Sequence, residues 1–496
     1  MRNFPSPKLR FFSLALVFLL PALPASAKGG PPTVPATWVE LGESGAIIAR
    51  QAIPLGATGQ AQTCPAIQIA GVSNPPTMLS PRAPAPAGFP ILLCEVVIPA
   101  GATSATINGI SLPLPKSQIG NIVVIGDTGC KGDVTGTGKK VEALEEPEDD
   151  DDAEEAAAAK GPTKPKQDCT PAGWPFKAVS KSAAATPPDL VIHVGDYVYV
   201  KGDTWENWND QFFTPAKKLL GAAPWIFVRG NHEICDTGLH GAGYFYLLDP
   251  RPLTATCPGD ATPPYLVSTG GSKFVVMDSS GATCDLSPAG PAGTGSCKQS
   301  DYDSQVATWT PLFAQAKGLV SSGSGSAMLL SHRPVFGAKP ATTSATPPTG
   351  YCSDSASAKS TKGKKSGKAG GASAKVLLAL NSVLQAAWQP SSGGWVSNFV
   401  SGHVHTFELL TWGSGPPPQV LVGDSGVTLS SGAPNLSNCK LQAGAGSLPL
   451  STLNGLKQWG YGVLNSQGSK LDVYLSSGKR ALKCDIGATS AKCVRN

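Results

Sequence analysis

The sequence predicts a layered α/β protein preceded by a β-rich stretch, and three observations predict it. Seven short apolar runs recur between residues 121 and 426: NIVVIGD, DLVIHVGD, PWIFVRGNHE, KFVVMDSS, AMLLSHRP, WVSNFVSGHVH and QVLVGDSG. Each ends in polar punctuation, and runs apolar at nearly every position are strands covered on both faces. Helix-compatible stretches lie between them, at 205–220 (WENWNDQFFTPAKKLL) and 374–389 (AKVLLALNSVLQAAWQ). Strand alternating with helix argues for α/β layers. Ahead of them, AIIARQAI, ILLCEVVI and ATINGISLPL are short, β-branched and separated by Pro and Gly. They read as a small sandwich or as strands added to the main sheet.

In chain order, residues 1–27 read as a signal peptide. Arg2, Lys8 and Arg10 precede the run FFSLALVFLLPAL, and Ala25-Ser26-Ala27 offers a small-residue cleavage site. The run is too short to span a bilayer, and no later stretch approaches spanning length. The expected product is exported, to a periplasm or to the medium, with no membrane association after cleavage. A β-rich domain is expected at 28–118 and a catalytic domain at 119–496, with inserts at 131–168 and 353–373.

The 496 residues include twelve cysteines, which in an exported chain suggest disulfides. No CxxC pair supports a cysteine metal site. Cys130 and Cys169 flank the first insert, and a disulfide across that neck would let it loop out without disturbing the strand ends. Net charge is +5, unevenly spread: residues 142–155 hold ten acids, and Lys359 to Lys375 holds six lysines. Both read as solvated segments. Neither interleaves aromatics, so no nucleic-acid partner is expected.

In layered α/β folds, ligands gather beyond the carboxyl ends of the strands. The polar clusters at those ends contain Asp127, Asp196, Tyr199, Asn231, His232, His332, His403 and His405. Such oxygen and imidazole donors suit first-row transition metals or zinc. If one aspartate is shared, they suffice for two ions, an arrangement that clamps a phosphate. His193 and Tyr197 read as packed core residues, and Asp424 as a turn residue.

Five motifs follow in order: Gly126-Asp127-Thr128-Gly129, Gly195-Asp196-Tyr197-Val198-Tyr199, Gly230-Asn231-His232-Glu233, Leu330-Ser331-His332 and Gly402-His403-Val404-His405. Together they resemble the metallophosphoesterase (calcineurin-like) superfamily and, within it, the purple acid phosphatases. The resemblance implies a four-layer αββα sandwich. In the wider superfamily the first motif supplies an aspartate and a histidine. In the purple branch that histidine is absent and a tyrosine of the second motif replaces it. Gly129 and Tyr199 fit that exchange together.

Carried over by residue, the resemblance implies Fe(3+) on Asp127, Tyr199 and His405. It implies a divalent ion (iron, zinc or manganese) on Asn231, His332 and His403, with Asp196 bridging the two. The implied activity is hydrolysis of small phosphate monoesters by a metal-activated hydroxide, favoured at acid pH. Asp196 and His232 are the expected catalytic residues, His232 orienting phosphate and protonating the leaving group. Glu233 is expected to fix the His232 ring by a hydrogen bond. His240, in the glycine-rich loop that follows, is a candidate substrate contact.

Two alternatives stand beside this reading. One is a phosphodiesterase or nucleotidase with the same centre, since substrate choice depends on loops at 203–260 and 337–373. The other is a non-catalytic secreted binding protein on the same scaffold, which should have lost a ligand; none is missing. No histidine occurs between Arg333 and Tyr351, so leaving-group protonation rests on His232.

Overall fold

The computed structural model describes residues 35–55, 63–132, 167–284, 297–321, 325–340, 377–379, 381–430, 435–443 and 446–496. The expected signal peptide, most of the 131–168 insert and all of 353–373 lie outside these residues. The described strands are β1 (Ala36–Leu41), β2 (Ile47–Pro54), β3 (Ile67–Ala70), β4 (Ile91–Ile98), β5 (Ser104–Ile107), β6 (Ile110–Ser111), β7 (Asn121–Ile125), β8 (Leu190–His193) and β9 (Trp225–Phe227). They continue with β10 (Tyr265–Thr269), β11 (Ser272–Val276), β12 (Ala327–Leu330), β13 (Ala338–Pro340), β14 (Leu377–Ala379), β15 (Val396–Ser401), β16 (Phe407–Trp412) and β17 (Gln419–Val422). The last six are β18 (Leu436–Ala443), β19 (Gly446–Leu456), β20 (Gly460–Asn465), β21 (Lys470–Leu475), β22 (Arg480–Ile486) and β23 (Ala491–Arg495).

Two ten-stranded sheets result, ordered β23-β22-β21-β20-β7-β8-β9-β1-β2-β4 and β10-β11-β12-β15-β17-β16-β19-β18-β14-β13. All seven apolar runs are strands, and their side chains explain why the runs are continuous. On β7, Ile122 and Val124 join a core shared by both sheets, while Val123 and Ile125 face the helices. On β12, Met328 and Leu330 enter that shared core and Ala327 and Leu329 face the opposite way. Each strand is thus apolar on both faces, and each buried Val, Leu or Ile contributes about 1.5–3 kcal/mol.

The outer layers are helical. On the first sheet lie α1 (Phe176–Ala184), α2 (Trp205–Trp208), a π turn at Asn209–Phe213, α3 (Thr214–Leu220) and α4 (Gly241–Leu247). On the second lie α5 (Gln299–Ser321) and α6 (Ser382–Trp388). This is the αββα sandwich that the resemblance implied.

The described strands of the stretch 28–118 divide between two sheets. Strands β1, β2 and β4 extend the first large sheet, with β1 running parallel to β9 through Glu40 and Trp225. The small sheet β3-β5-β6 covers their other face, across Val39, Ala49, Cys94 and Ile107. Buried arginines fix the join. Arg50 donates to Leu247 O and Asp249 O at 2.7 and 2.8 Å, and Arg82 to Phe245 O at 2.7 Å. They satisfy carbonyls at the end of α4 that have no partner within the helix.

One helix expectation needs correction. Among the described residues of the stretch 374–389, Ser382–Trp388 is α-helix and Gln389 opens a 3-10 turn, while Leu377–Ala379 is strand β14, paired with β13 and β18. Asn381 marks the break: it sits at φ 68°, and its side chain accepts from Leu384 N as a helix cap. That capping asparagine was the start signal within the run.

Candidate metal centre

The expected donors leave the strands at one edge of the sandwich. Asp127 follows β7, Asp196 and Tyr199 follow β8, Asn231 follows β9, His332 follows β12, and His403 and His405 follow β15. Three of them hold left-handed backbone: Asp127 at φ 55°, Asp196 at 59° and His403 at 72°. Such residues cost about 1–3 kcal/mol each and persist where surrounding bonds over-determine them. Here Asp127 N donates to Gly195 O at 3.0 Å, Thr128 N to Asp196 O at 2.9 Å, and Val427 N to Asp127 O at 2.9 Å. His403 N donates to Asp127 Oδ2 at 3.1 Å. Gly230 is required where it stands, since a Cβ there would collide with the backbone nitrogen and Oδ1 of Asp196.

The donor atoms form two groups that share Asp196. Around Tyr199 Oη lie Asp196 Oδ2 at 3.0 Å, Asp127 Oδ1 at 3.2 Å and His405 Nε2 at 3.3 Å. Around His332 Nε2 lie Asn231 Oδ1 at 2.8 Å and Asp196 Oδ2 at 3.2 Å, and His403 Nδ1 is 2.9 Å from Asn231 Oδ1. Oxygen and nitrogen ligands bound at roughly 2.0–2.2 Å sit roughly 2.8–3.6 Å from one another around an ion. The seven residues therefore fit a pair of ions, both in donor type and in spacing.

Electrostatics agree. Asp127 and Asp196 are fully buried side by side. Burial, then the charge of Asp196, pushes the Asp127 carboxyl well above the usual range. Burial opposes ionisation of Asp196 too, but the imidazoles of His332 and His232 hold it well below the usual carboxylate range. Burial, then Arg333, holds His403 neutral, well below the ordinary histidine range. Two adjacent buried carboxyls and the neutral His403 ring make a site that positive ions complete.

The remaining expected residues divide. His232 belongs to the cluster: its ring lies 4.1 Å from that of Tyr199, and Nε2 is 4.0 Å from Asp196 Oδ2. Glu233 does not fix that ring through the expected bond. Its carboxylate accepts from the backbone nitrogens of Asp196, Tyr197 and Gly230 at 2.9–3.1 Å, clamping the second motif to the third. Burial, then Asp196, pushes it up to about 8. His240 is fully buried, with Nε2 2.7 Å from Val200 O and its ring edge-on to Trp208. That position anchors the loop to the Tyr199 segment and does not suit a substrate contact. His193 stacks on Tyr197 at 3.9 Å within the core.

Two residues escaped the sequence reading. Gln211, in the π turn, accepts from Cys130 N at 3.1 Å and Tyr199 N at 3.0 Å, and donates to Cys130 O at 3.0 Å. It holds the tyrosine segment against the first motif, and a π turn inside a helix often marks a functional site. Arg333 places Nη1 3.1 Å from His403 Nε2. Its only signal was adjacency to His332. The neck disulfide has the expected pairing, Cys130 with Cys169, and is one of five among the described residues. No described helix is long and apolar enough to cross a membrane.

Asp127, Asp196 and His332 bring ligand atoms close enough to hold a metal ion. Residues 120–336 match the family described as calcineurin-like phosphoesterase. Residues 120–336 thus carry a calcineurin-like phosphoesterase domain. The matched span holds Asp127, Asp196, Tyr199, Asn231 and His332, while His403 and His405 lie beyond it. No curated protein matches the chain. Among solved structures, the chain is similar to purple acid phosphatase PPD1 from yellow lupin (Lupinus luteus) seeds, at 13% identity and TM-score 0.47, covering 93% of this chain and 74% of that one. It is similar to PhoD at 10% identity and TM-score 0.49, covering 93% and 91%. It is also similar to GAP50, described as the anchor in the inner membrane complex of Plasmodium, at 10% identity and TM-score 0.36, covering 75% and 89%.

Proposed function

We propose that the chain is an exported phosphatase of the purple acid type, acting on small phosphate monoesters. Asp127, Tyr199 and His405 would hold Fe(3+), and Asn231, His332 and His403 a divalent iron, zinc or manganese ion, with Asp196 shared. The observation that carries this reading is steric. A Cβ at Gly129 would meet Tyr199 Cδ2 at 2.7 Å and Tyr197 O at 2.8 Å. A side chain at 129 and the Tyr199 ring exclude each other, and it is the phenol that joins the donors. A phenolate is a hard anionic donor suited to ferric iron. When bound, such a pair of ions supplies Lewis-acid charge to the phosphoryl oxygens and acidifies water.

The chain's own residues do the rest. Asp196 holds the two donor groups in register through its shared Oδ2. Glu233 and Gln211 fix the backbone on either side of Asp196 and Tyr199. His232, packed on the Tyr199 ring, is placed to orient phosphate and to carry the proton for the leaving alcohol. Lys131 Nζ, 5.6 Å from the Tyr199 ring centre, adds positive charge on that side. The same reading takes residues 1–27 as an export signal and 119–496 as the catalytic unit.

The test compares initial rates on 4-nitrophenyl phosphate and bis(4-nitrophenyl) phosphate, for wild type and Asp196→Asn. The proposal expects the monoester to be faster and Asp196→Asn to lose about 10³-fold in turnover. A faster diester would replace monoesterase with diesterase. No turnover of either by metal-loaded wild type would mark a binding protein.

A further inference from the structure

The two imidazoles of the Asn231 group present their outer nitrogens to opposite kinds of partner. His332 turns Nε2 toward the donors, 2.8 Å from Asn231 Oδ1, and Nδ1 toward Val194 O at 2.7 Å. Metal-binding imidazoles favour this arrangement, with the outer N–H donated to a carbonyl. His403 turns Nδ1 toward the donors, 2.9 Å from Asn231 Oδ1, but its Nε2 faces Arg333 Nη1 at 3.1 Å. A guanidinium only donates. In this contact Nε2 is the lone-pair nitrogen, and the ring proton is on Nδ1, pointing at Asn231.

An ion at Nδ1 requires the other tautomer, with the lone pair on Nδ1 and the proton on Nε2. Two donors then face each other at Nε2 and Nη1, and a fixed positive charge sits behind the ring that binds the ion. Arg333 cannot simply swing into solvent. It is 4% exposed, Nε donates to Ser280 O at 3.3 Å, its backbone N donates to Ser279 Oγ at 2.9 Å, and Ser331 Oγ donates to Arg333 O at 2.9 Å.

We infer that Arg333 is a positioning residue that weakens ion binding at the Asn231–His332–His403 group, by holding His403 in the tautomer opposed to ligation. The inference rests on the two-ion reading above. It makes the second ion the exchangeable one, while the group around Tyr199 keeps its ion.

Equilibrium dialysis of metal-stripped protein against Zn(2+), with metal counted per chain, tests it. Arg333→Gln replaces the donor with a group able to accept from Nε2–H, and Arg333→Met removes charge and donor together. Both should tighten the second ion about tenfold and leave the first unchanged. General damage to the site would weaken binding, so a gain in affinity is specific to this account. Unchanged or weaker second-ion affinity in both variants, with wild-type thermal unfolding, would overturn it. A wild type that takes up fewer than two ions at any concentration would fail the two-ion reading itself, and the inference with it.

Discussion

The two halves of the donor cluster stand on the same strand ends yet differ in chemistry. Around Tyr199 the donors are a phenol, Asp127, the shared Asp196 and one imidazole. Around His332 they are a neutral amide, two imidazoles and the same Asp196. The first half concentrates anionic oxygen, which suits a hard trivalent ion; the second is neutral apart from the shared carboxylate, which suits a divalent one. The fold supplies equivalent positions, and side-chain chemistry alone makes the halves unlike. The inner supports differ as well: Gln211 braces the tyrosine half, while Arg333 sits against the histidine half.

Three substitutions break or sharpen that contrast. Tyr199→Phe removes the phenol oxygen and makes the halves more alike. It should lower turnover about 10²-fold or more and reduce the iron retained after purification, measured by elemental analysis against a constant second ion. Gly129→Ala attacks the same half through packing. Its Cβ would meet Tyr199 Cδ2 and Gln211 Oε1 at 2.7 Å and Tyr197 O at 2.8 Å. A misfit in this buried spot should cost about 1–3 kcal/mol, read by denaturant unfolding, with iron content falling before the divalent ion does.

The smallest effect concerns Asp424, in the loop whose neighbours bond the first motif: Ser425 N donates to Gly126 O and Val427 N to Asp127 O. The Asp424 carboxyl is fully buried, and neither oxygen meets another residue's donor among the described residues. Burial pushes it from 3.8 up to about 8. Below pH 4 both folded and unfolded chains keep its proton; between about 4 and 8 only the folded chain does. Stability should therefore fall as pH rises through that window. Asp424→Asn should flatten this part of the Tm–pH profile; an unchanged slope would show that Asp424 does not set it.

The strands and most of the donors were legible because burial on both faces leaves continuous apolar runs, and each run ends at its chemistry. The closeness of position 129 to the Tyr199 ring, which leaves no room for a Cβ, showed in the sequence only through the family resemblance. What escaped depended on contacts between distant segments. Glu233 looks like a partner for its neighbour His232, but its carboxylate reaches three backbone nitrogens across the cluster. Gln211 gives no signal in an amphipathic helix until the π turn aims it at Tyr199. His240 sits in a glycine-rich loop that suggested exposure, and packing under Trp208 decided otherwise. In α5, full burial begins only at Trp309, while Tyr302 and Val306 pack against the core half-buried, which left the helix a weak pattern in its first turns.

The central claim is that the tyrosine half holds ferric iron. The visible absorption spectrum of the purified, oxidised protein tests it most directly. A broad mid-visible band, giving a pink to violet solution and vanishing in Tyr199→Phe, is the predicted result. A colourless protein with full metal loading and phosphatase activity would contradict it, leaving a two-metal hydrolase without iron on Tyr199.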